Sequence, residues 1–149
     1  FCINTYDYTF IDCPPNLLYF TYSALFMSDF VIVPILATSY NSIKGLNRML
    51  ELISEVRGKI NPQLRFLRLL INNVDRRTSL GKTISADIRK MFLGKVFETT
   101  IPPSTKFSQA EYTSKTILSW AASSPGARAY RSLSKEVVQI APAQEVRND

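Results

Sequence analysis

Two stretches of the chain carry side chains of the types, and at the spacings, that phosphate chemistry uses. Asp12 closes a short apolar run, Tyr8-Thr9-Phe10-Ile11, and is followed by Cys13-Pro14-Pro15. A carboxylate at the C-terminal end of a strand can hold a magnesium ion, directly or through water, beside the phosphates of a bound nucleotide. Asp is also a good helix N-cap and a helical pattern follows, so on these residues alone the cap is the stronger reading. Gly81-Lys82-Thr83 is the tail of a phosphate-binding loop set between a strand and a helix. The full motif needs a glycine five residues before the second one, so that backbone N–H groups can wrap the phosphates. Arg76 holds that place. Its bulk leaves Lys82 as a surface lysine at a helix start.

A third stretch, Asn72-Asn73-Val74-Asp75, resembles the Asn-Lys-x-Asp base-recognition element of nucleotide-binding P-loop proteins, with Asn73 in place of lysine. An Asn side chain can both donate to and accept from a purine edge. Asn and Asp also favour turns, which by itself accounts for the stretch better. Arg76 and Arg77 follow in the same turn, with Lys82, Arg89 and Lys90 on the next helix. No aromatic interleaving or groove-reading motif accompanies these cations, so they suit phosphate contact that ignores base sequence.

The elements that must position these groups alternate in period. Residues 8–11 read as a strand that ends where the prolines begin, because proline cannot continue a central strand. Residues 17–27 suit a buried helix, and residues 30–35 are a β-branched run that reads as a strand buried on both faces. Ile43, Leu46, Leu50 and Ile53 fall on one face of a helix that Ser42 or Asn41 can cap. Residues 66–71 form the next strand; Ser79 opens a helix with Ile84, Ile88, Met91 and Phe92 on one side. Residues 95–101 form a shorter strand broken by Pro102 and Pro103, and residues 104–122 lack clean periodicity and read as loop with helical turns. Ser124 caps a last helix with Pro125 at its first position and a buried face of Tyr130, Leu133, Val137 and Ile140; residues 141–149 read as a polar tail. This order implies right-handed βαβ crossovers: an α/β fold, one domain over residues 1–149, with a mostly parallel sheet and helices on both faces. Ligands of such sheets bind at the strands' C-terminal ends, so Asp12, residues 72–75 and residues 102–104 should share one edge.

Composition narrows the chemistry further. The chain has no histidine, which excludes imidazole metal ligation and Ser-His-Asp catalysis. Its two cysteines, Cys2 and Cys13, cannot build a disulfide framework or a zinc site, and a reducing cytoplasm fits best. No apolar run reaches the roughly 18 residues that a membrane span needs. The net charge of +6 is uneven: residues 57–95 hold ten basic and two acidic side chains, a local +8. Clustered Lys and Arg favour a polyanionic partner by counterion release, although a solvated basic surface has the same composition, and charge alone does not choose between them.

Taken in order, these stretches resemble the ParA/Soj-type DNA-partition ATPases of the ParA/MinD superfamily. The residues that carry the likeness are Tyr6-Asp7-Tyr8-Thr9-Phe10-Ile11-Asp12-Cys13-Pro14-Pro15, like that family's Walker B segment, then Asp75-Arg76-Arg77-Thr78-Ser79-Leu80, Lys95-Val96-Phe97 through Ile101-Pro102, and Ser124-Pro125-Gly126-Ala127-Arg128-Ala129-Tyr130. The likeness spans residues 5–140. It implies a P-loop NTPase fold of the deviant Walker type and an ATPase that uses ATP/ADP and Mg2+ as a nucleotide-dependent homodimer. It further implies a cytoplasmic, nucleoid-associated protein that coats non-specific DNA and is released by a ParB-like centromere-binding partner. By the same resemblance Asp12 is the Walker B carboxylate, Asn72, Pro102 and Pro103 lie at the nucleotide, and Arg77 and Lys106 match DNA-contacting arginines. Lysine at 106 keeps the charge without the bidentate fork.

The family's Walker A loop and its switch aspartate would lie upstream of Asp12. A usual Ser-Glu-Ala-Pro appears as Ser108-Gln109-Ala110-Glu111, and Ser114 and Thr116 replace a usual Gly and Pro. The MinD branch binds membrane through a C-terminal amphipathic helix, and residues 141–149 have neither the apolar face nor the basic flank for that. The alternative from another class is a non-catalytic DNA-binding or dimerisation module.

Overall fold

The structure, a computed structural model, describes residues 6–14, 19–37 and 41–143, the side chains of residues 41–44 excepted. Its elements are α1 (Tyr19–Met27), β1 (Phe30–Leu36), α2 (Asn41–Lys59), β2 (Arg65–Asn72), α3 (Ser79–Met91), α4 (Thr105–Tyr112), α5 (Ile117–Trp120) and α6 (Pro125–Ile140). β1 and β2 pair in parallel, Ile35 opposite Ile71 and Leu36 opposite Asn72. Residues 95–101 run along the other edge of β2: Leu69 donates to the Lys95 carbonyl at 2.8 Å, Phe97 to Leu69 at 2.9 Å and Ile101 to Ile71 at 3.0 Å. Only the Leu69–Val96 bridge has strand geometry, so the expected fourth strand is an extended segment pinned at intervals.

Two cores, one on each face of the sheet, hold the layers together. Leu25 of α1, Leu46, Ile53 and Val56 of α2, and Ile84 and Ile88 of α3 pack with Val31, Val33, Ile35, Leu69 and Ile71. On the opposite face Leu133 and Val137 of α6 pack with Phe97 and Ile101, joined by Ile32, Leu67, Leu70 and Phe107. The α/β layering read from the pattern is thus present, with helices on both faces. β2 carries one residue more than β1 at Leu67, since Val31 pairs with Phe66 and Ile32 with Arg68. This bulge resets the alternation, and Leu67 lies on the α6 side of the sheet although Phe66 and Leu69 lie on the other.

Several expectations are corrected. Residues 8–11 form no strand; a strand needs a neighbour to take its backbone hydrogen bonds, and Phe10 and Ile11 are exposed. β1 is fully buried on one face only, because on the other Ile32 packs under α6 while Pro34 and Leu36 are exposed. α1 is likewise covered on one side: Thr21, Ala24 and Leu25 are buried while Tyr19, Phe20, Phe26 and Met27 are open. Met91 is exposed, leaving Ile84 and Ile88 as the buried face of α3. Residues 105–112 are a true helix, capped by Ser104, whose hydroxyl accepts from Lys106 N. Tyr130 lies at the half-exposed rim of the α6 face, its ring edge-on to Phe107 at 5.9 Å. Ala141, where the tail was expected to start, is buried, and its carbonyl accepts the Tyr8 hydroxyl at 2.8 Å. The side chains proposed to cap α2, the Ile43 side chain, Cys2, Pro15, Leu17 and residues 144–149 lie outside the described residues.

Candidate functional site

β2 delivers its last residue, Asn72, to the sheet's C-terminal edge, where the Asn72 carbonyl accepts from Ala37 N at 3.1 Å. Its side-chain oxygen accepts from Asn73 N at 2.8 Å. Asn73 then takes a left-handed backbone (φ 57°), which Asn tolerates better than most residues, and the chain leaves the sheet. Val74 N donates to the Ile101 carbonyl at 3.0 Å, so the turn after β2 is tied to the segment that carries Pro102. Between them lies an open cleft of about 290 Å³ lined by Val74, Arg76, Thr99, Thr100 and Pro102, with Pro125, Ala129 and Ser132 closing it from α6. Arg76 Nη2 donates to Thr100 Oγ1 across it at 3.1 Å.

The turn from 75 to 81 is over-determined. Asp75 Oδ1 accepts from Arg77 N at 3.0 Å and from Arg77 Nε at 3.2 Å. This guanidinium hydrogen bond, followed by the one from the Arg77 backbone, holds the Asp75 carboxyl below its ordinary value of 3.8, and Arg77 is raised in turn. α3 opens at Ser79 as expected, and Thr78 caps it: its hydroxyl accepts from Gly81 N at 3.1 Å and donates to the Asp75 carbonyl at 2.9 Å. A Cβ at Gly81 would stand 2.5 Å from that carbonyl oxygen. Gly81 therefore serves the close packing of helix start against turn, in keeping with Gly81-Lys82-Thr83 not being a phosphate cradle.

The expected site residues are gathered in part. Asn72 and Pro102 each follow a member of the Ile71–Ile101 hydrogen-bonded pair at one edge, and Pro102 lines the cleft while Pro103 stands exposed outside it. Arg77 is in the adjoining turn with its side chain 90% exposed. Lys106 is exposed in the first turn of α4, its Nζ donating to Gln109 Oε1 at 3.0 Å. Asp12 is exposed in the irregular segment, and no hydrogen bond or ion pair joins it to the others among the described residues. No group of three metal-ligating side chains forms among the described residues. A magnesium ion beside a nucleotide requires one or two carboxylates, phosphate oxygens and water supplying the rest, so an exposed Asp12 is chemically sufficient as a donor.

Much of the basic stretch is engaged locally. Arg68 donates to the Val96 carbonyl at 3.2 Å and faces Glu136 at 3.9 Å. Arg89 donates to the carbonyls of Phe97 and Glu98 at 3.0 and 3.1 Å and pairs with the Glu98 carboxylate at 3.5 Å. Arg65 lies over the Phe30 ring at 4.4 Å. Sequence reasoning missed Glu136, whose carboxylate accepts from Glu98 N at 2.7 Å and Thr99 N at 3.1 Å. Its signal was its place beside Leu133 and Val137 on the buried side of α6.

The family model "AAA domain" matches residues 2–66. The chromosome-partitioning ATPase Soj of Thermus thermophilus is 40% identical over 133 residues, 89% of this chain and 53% of Soj. The chromosome partitioning protein ParA of Caulobacter vibrioides is 35% identical over 133 residues, covering 89% and 49% of the two chains. The sporulation initiation inhibitor protein Soj of Bacillus subtilis is 36% identical over 132 residues, covering 89% and 52%. Among solved structures, cobyrinic acid a,c-diamide synthase from Mycobacterium smegmatis with bound ADP and magnesium superposes with a TM-score of 0.65 at 26% identity, over 86% of this chain and 45% of that one. The fold is that of the P-loop-type α/β ATPases. Over nearly nine-tenths of its length the chain is similar in sequence to these ParA and Soj partitioning proteins. It spans about half the length of the curated relatives it matches.

Proposed function

We propose that this chain acts, as one α/β domain, in a DNA-partition ATPase: it binds ATP and magnesium at the C-terminal edge of its sheet and non-specific DNA through its basic turn, as a nucleotide-dependent homodimer. The observation that carries the reading is the 40% identity to a chromosome-partitioning ATPase over 133 residues. The edge that carries Asn72 and Pro102, with Arg77 in the adjoining turn, supports it. Asn72 would read the base edge, with Pro102 and Pro103 framing the base. Asp12 would hold the magnesium, directly or through water. When bound, the ion neutralises charge that builds on the phosphates during hydrolysis. Arg77 and Lys106 would neutralise DNA phosphates, and release would follow stimulation by a ParB-like partner. The location that goes with this work is the nucleoid in the cytoplasm. No described helix is long and apolar enough to cross a membrane, and membrane binding is not part of the reading.

The test is an Asp12→Ala substitution in the full-length protein. Magnesium-dependent ATP hydrolysis is expected to disappear while the circular dichroism spectrum and melting curve stay those of the parent, because Asp12 is exposed and supports no packing. Turnover at the parent rate would remove Asp12 from the site.

A further inference from the structure

Asp75 and Arg77 are joined at three points. The Arg77 backbone N–H and Nε both donate to Asp75 Oδ1, at 3.0 and 3.2 Å, and Nη2 donates to Oδ2 at 3.4 Å. The carboxylate's own backbone is anchored, since the Asp75 carbonyl accepts from Thr78 N at 3.1 Å and from the Thr78 hydroxyl at 2.9 Å. Gly81 packs against that carbonyl with no room for a side chain. A fixed carboxylate therefore tethers a guanidinium whose side chain is 90% exposed.

An arginine so exposed, left to itself, spreads over many rotamers and loses that freedom when it meets a ligand. The fork uses Nε–H and one Nη2–H. The two Nη1 hydrogens and the other Nη2 hydrogen remain, and they form the edge that fits two oxygens of a phosphate.

We propose that Asp75 is a positioning residue for Arg77, presetting its guanidinium for bidentate contact with a DNA phosphate. The proposal rests on the reading of Arg77 as a DNA contact. Charge alone argues the other way: a carboxylate repels a polyanion, so removing it should tighten binding. Positioning makes its removal loosen binding, and the sign of the effect separates the two.

Asp75→Asn keeps Oδ1 as acceptor for the Arg77 N–H, and so keeps the turn, while the charged fork is lost. Binding to a duplex of arbitrary sequence would be measured for the full-length protein with ATP and magnesium, in the parent, Asp75→Asn, Arg77→Ala and the double variant. Asp75→Asn is expected to weaken binding by about threefold to tenfold, the cost of immobilising one free long side chain. In the Arg77→Ala background the same change should not weaken binding at all. Unchanged or tighter binding by Asp75→Asn, with Arg77→Ala weakened, overturns the positioning role and leaves Arg77 at the interface. Equal loss in both backgrounds marks Asp75 as a support of the fold and overturns the proposal as well. Parent-like binding by Arg77→Ala removes Arg77 from the interface and takes both readings with it. A titration of the Asp75 carboxyl by NMR checks the fork without DNA. Its midpoint should lie below 3.8 in the parent and rise in Arg77→Ala, because the Arg77 side chain is the largest cause of the lowering. A midpoint indifferent to Arg77 would show that the fork does not persist in solution.

Discussion

Glu136 shows how one side chain can hold a layer in place. It reaches from α6 to accept two consecutive backbone N–H groups, those of Glu98 and Thr99, and its side chain is only 15% exposed. Glu136→Ala would leave both donors and the half-buried Arg68 without their carboxylate. Hydrogen bonds to charged groups contribute roughly 1.5–3 kcal/mol each, and partial exposure reduces the loss, so about 2 kcal/mol of stability should go. Glu136→Gln, which retains an acceptor, should lose about half of that. Urea denaturation at constant m-value would measure both, and a change within error for Glu136→Ala would mean that water replaces the carboxylate. Little of this was legible beforehand. The residue types of Asn72, Arg77 and Asp12 are informative because their chemistry is specific, whereas a glutamate beside a buried stripe looks like any surface acid until the amides it serves are brought to it by the fold.

Elements were legible where period and boundary signals agreed. β2, α2, α3 and α6 follow the apolar spacing of Leu69 and Ile71, of Leu46 and Ile53, of Ile84 and Ile88, and of Leu133 and Val137. α4 escaped because eight residues with two inward side chains, Phe107 and Ala110, give too short a pattern to register. The strand expected at residues 8–11 failed for a different reason: its apolar run is present, but pairing is a property of neighbours, which local sequence does not contain. The contact between α4 and α6 turns on Gly126, since a Cβ there would stand 2.6 Å from Cζ of Phe107. Gly126→Ala should therefore destabilise the fold by about 1 kcal/mol, crowding against the ring outweighing alanine's helix preference. With Phe107→Leu already in place the same alanine should be neutral or stabilising. Thermal melts of the four variants decide it, and an additive pair would disprove the contact.

At the scale of the molecule the net charge of residues 57–95 was plain from composition, but its division between structure and surface was not. Arg68 and Arg89 are spent on carbonyls and carboxylates and are largely covered, while Arg77, although forked onto Asp75, and Lys82 are exposed. Arg77→Ala in the full-length, ATP-bound protein should lower the slope of log affinity for DNA against log salt by about 0.9, one phosphate contact, for every sequence alike. Arg89→Ala should leave that slope unchanged and lower the melting temperature instead. A slope that fell with Arg89 and held with Arg77 would reverse the assignment.

The extra residue at Leu67 reaches further than its own turn of chain. At the very next residue the strand is back in step with β1, but every side chain from Arg68 onward occupies the face that its predecessor would have had. A strict two-residue alternation counted from Phe66 would have sent Arg68, Leu70 and Asn72 to the α2 and α3 side and buried Asn72's amide behind the sheet. The bulge acts as a parity bit: one inserted residue, five positions before Asn72, chooses which face of the sheet the last residue of β2 addresses.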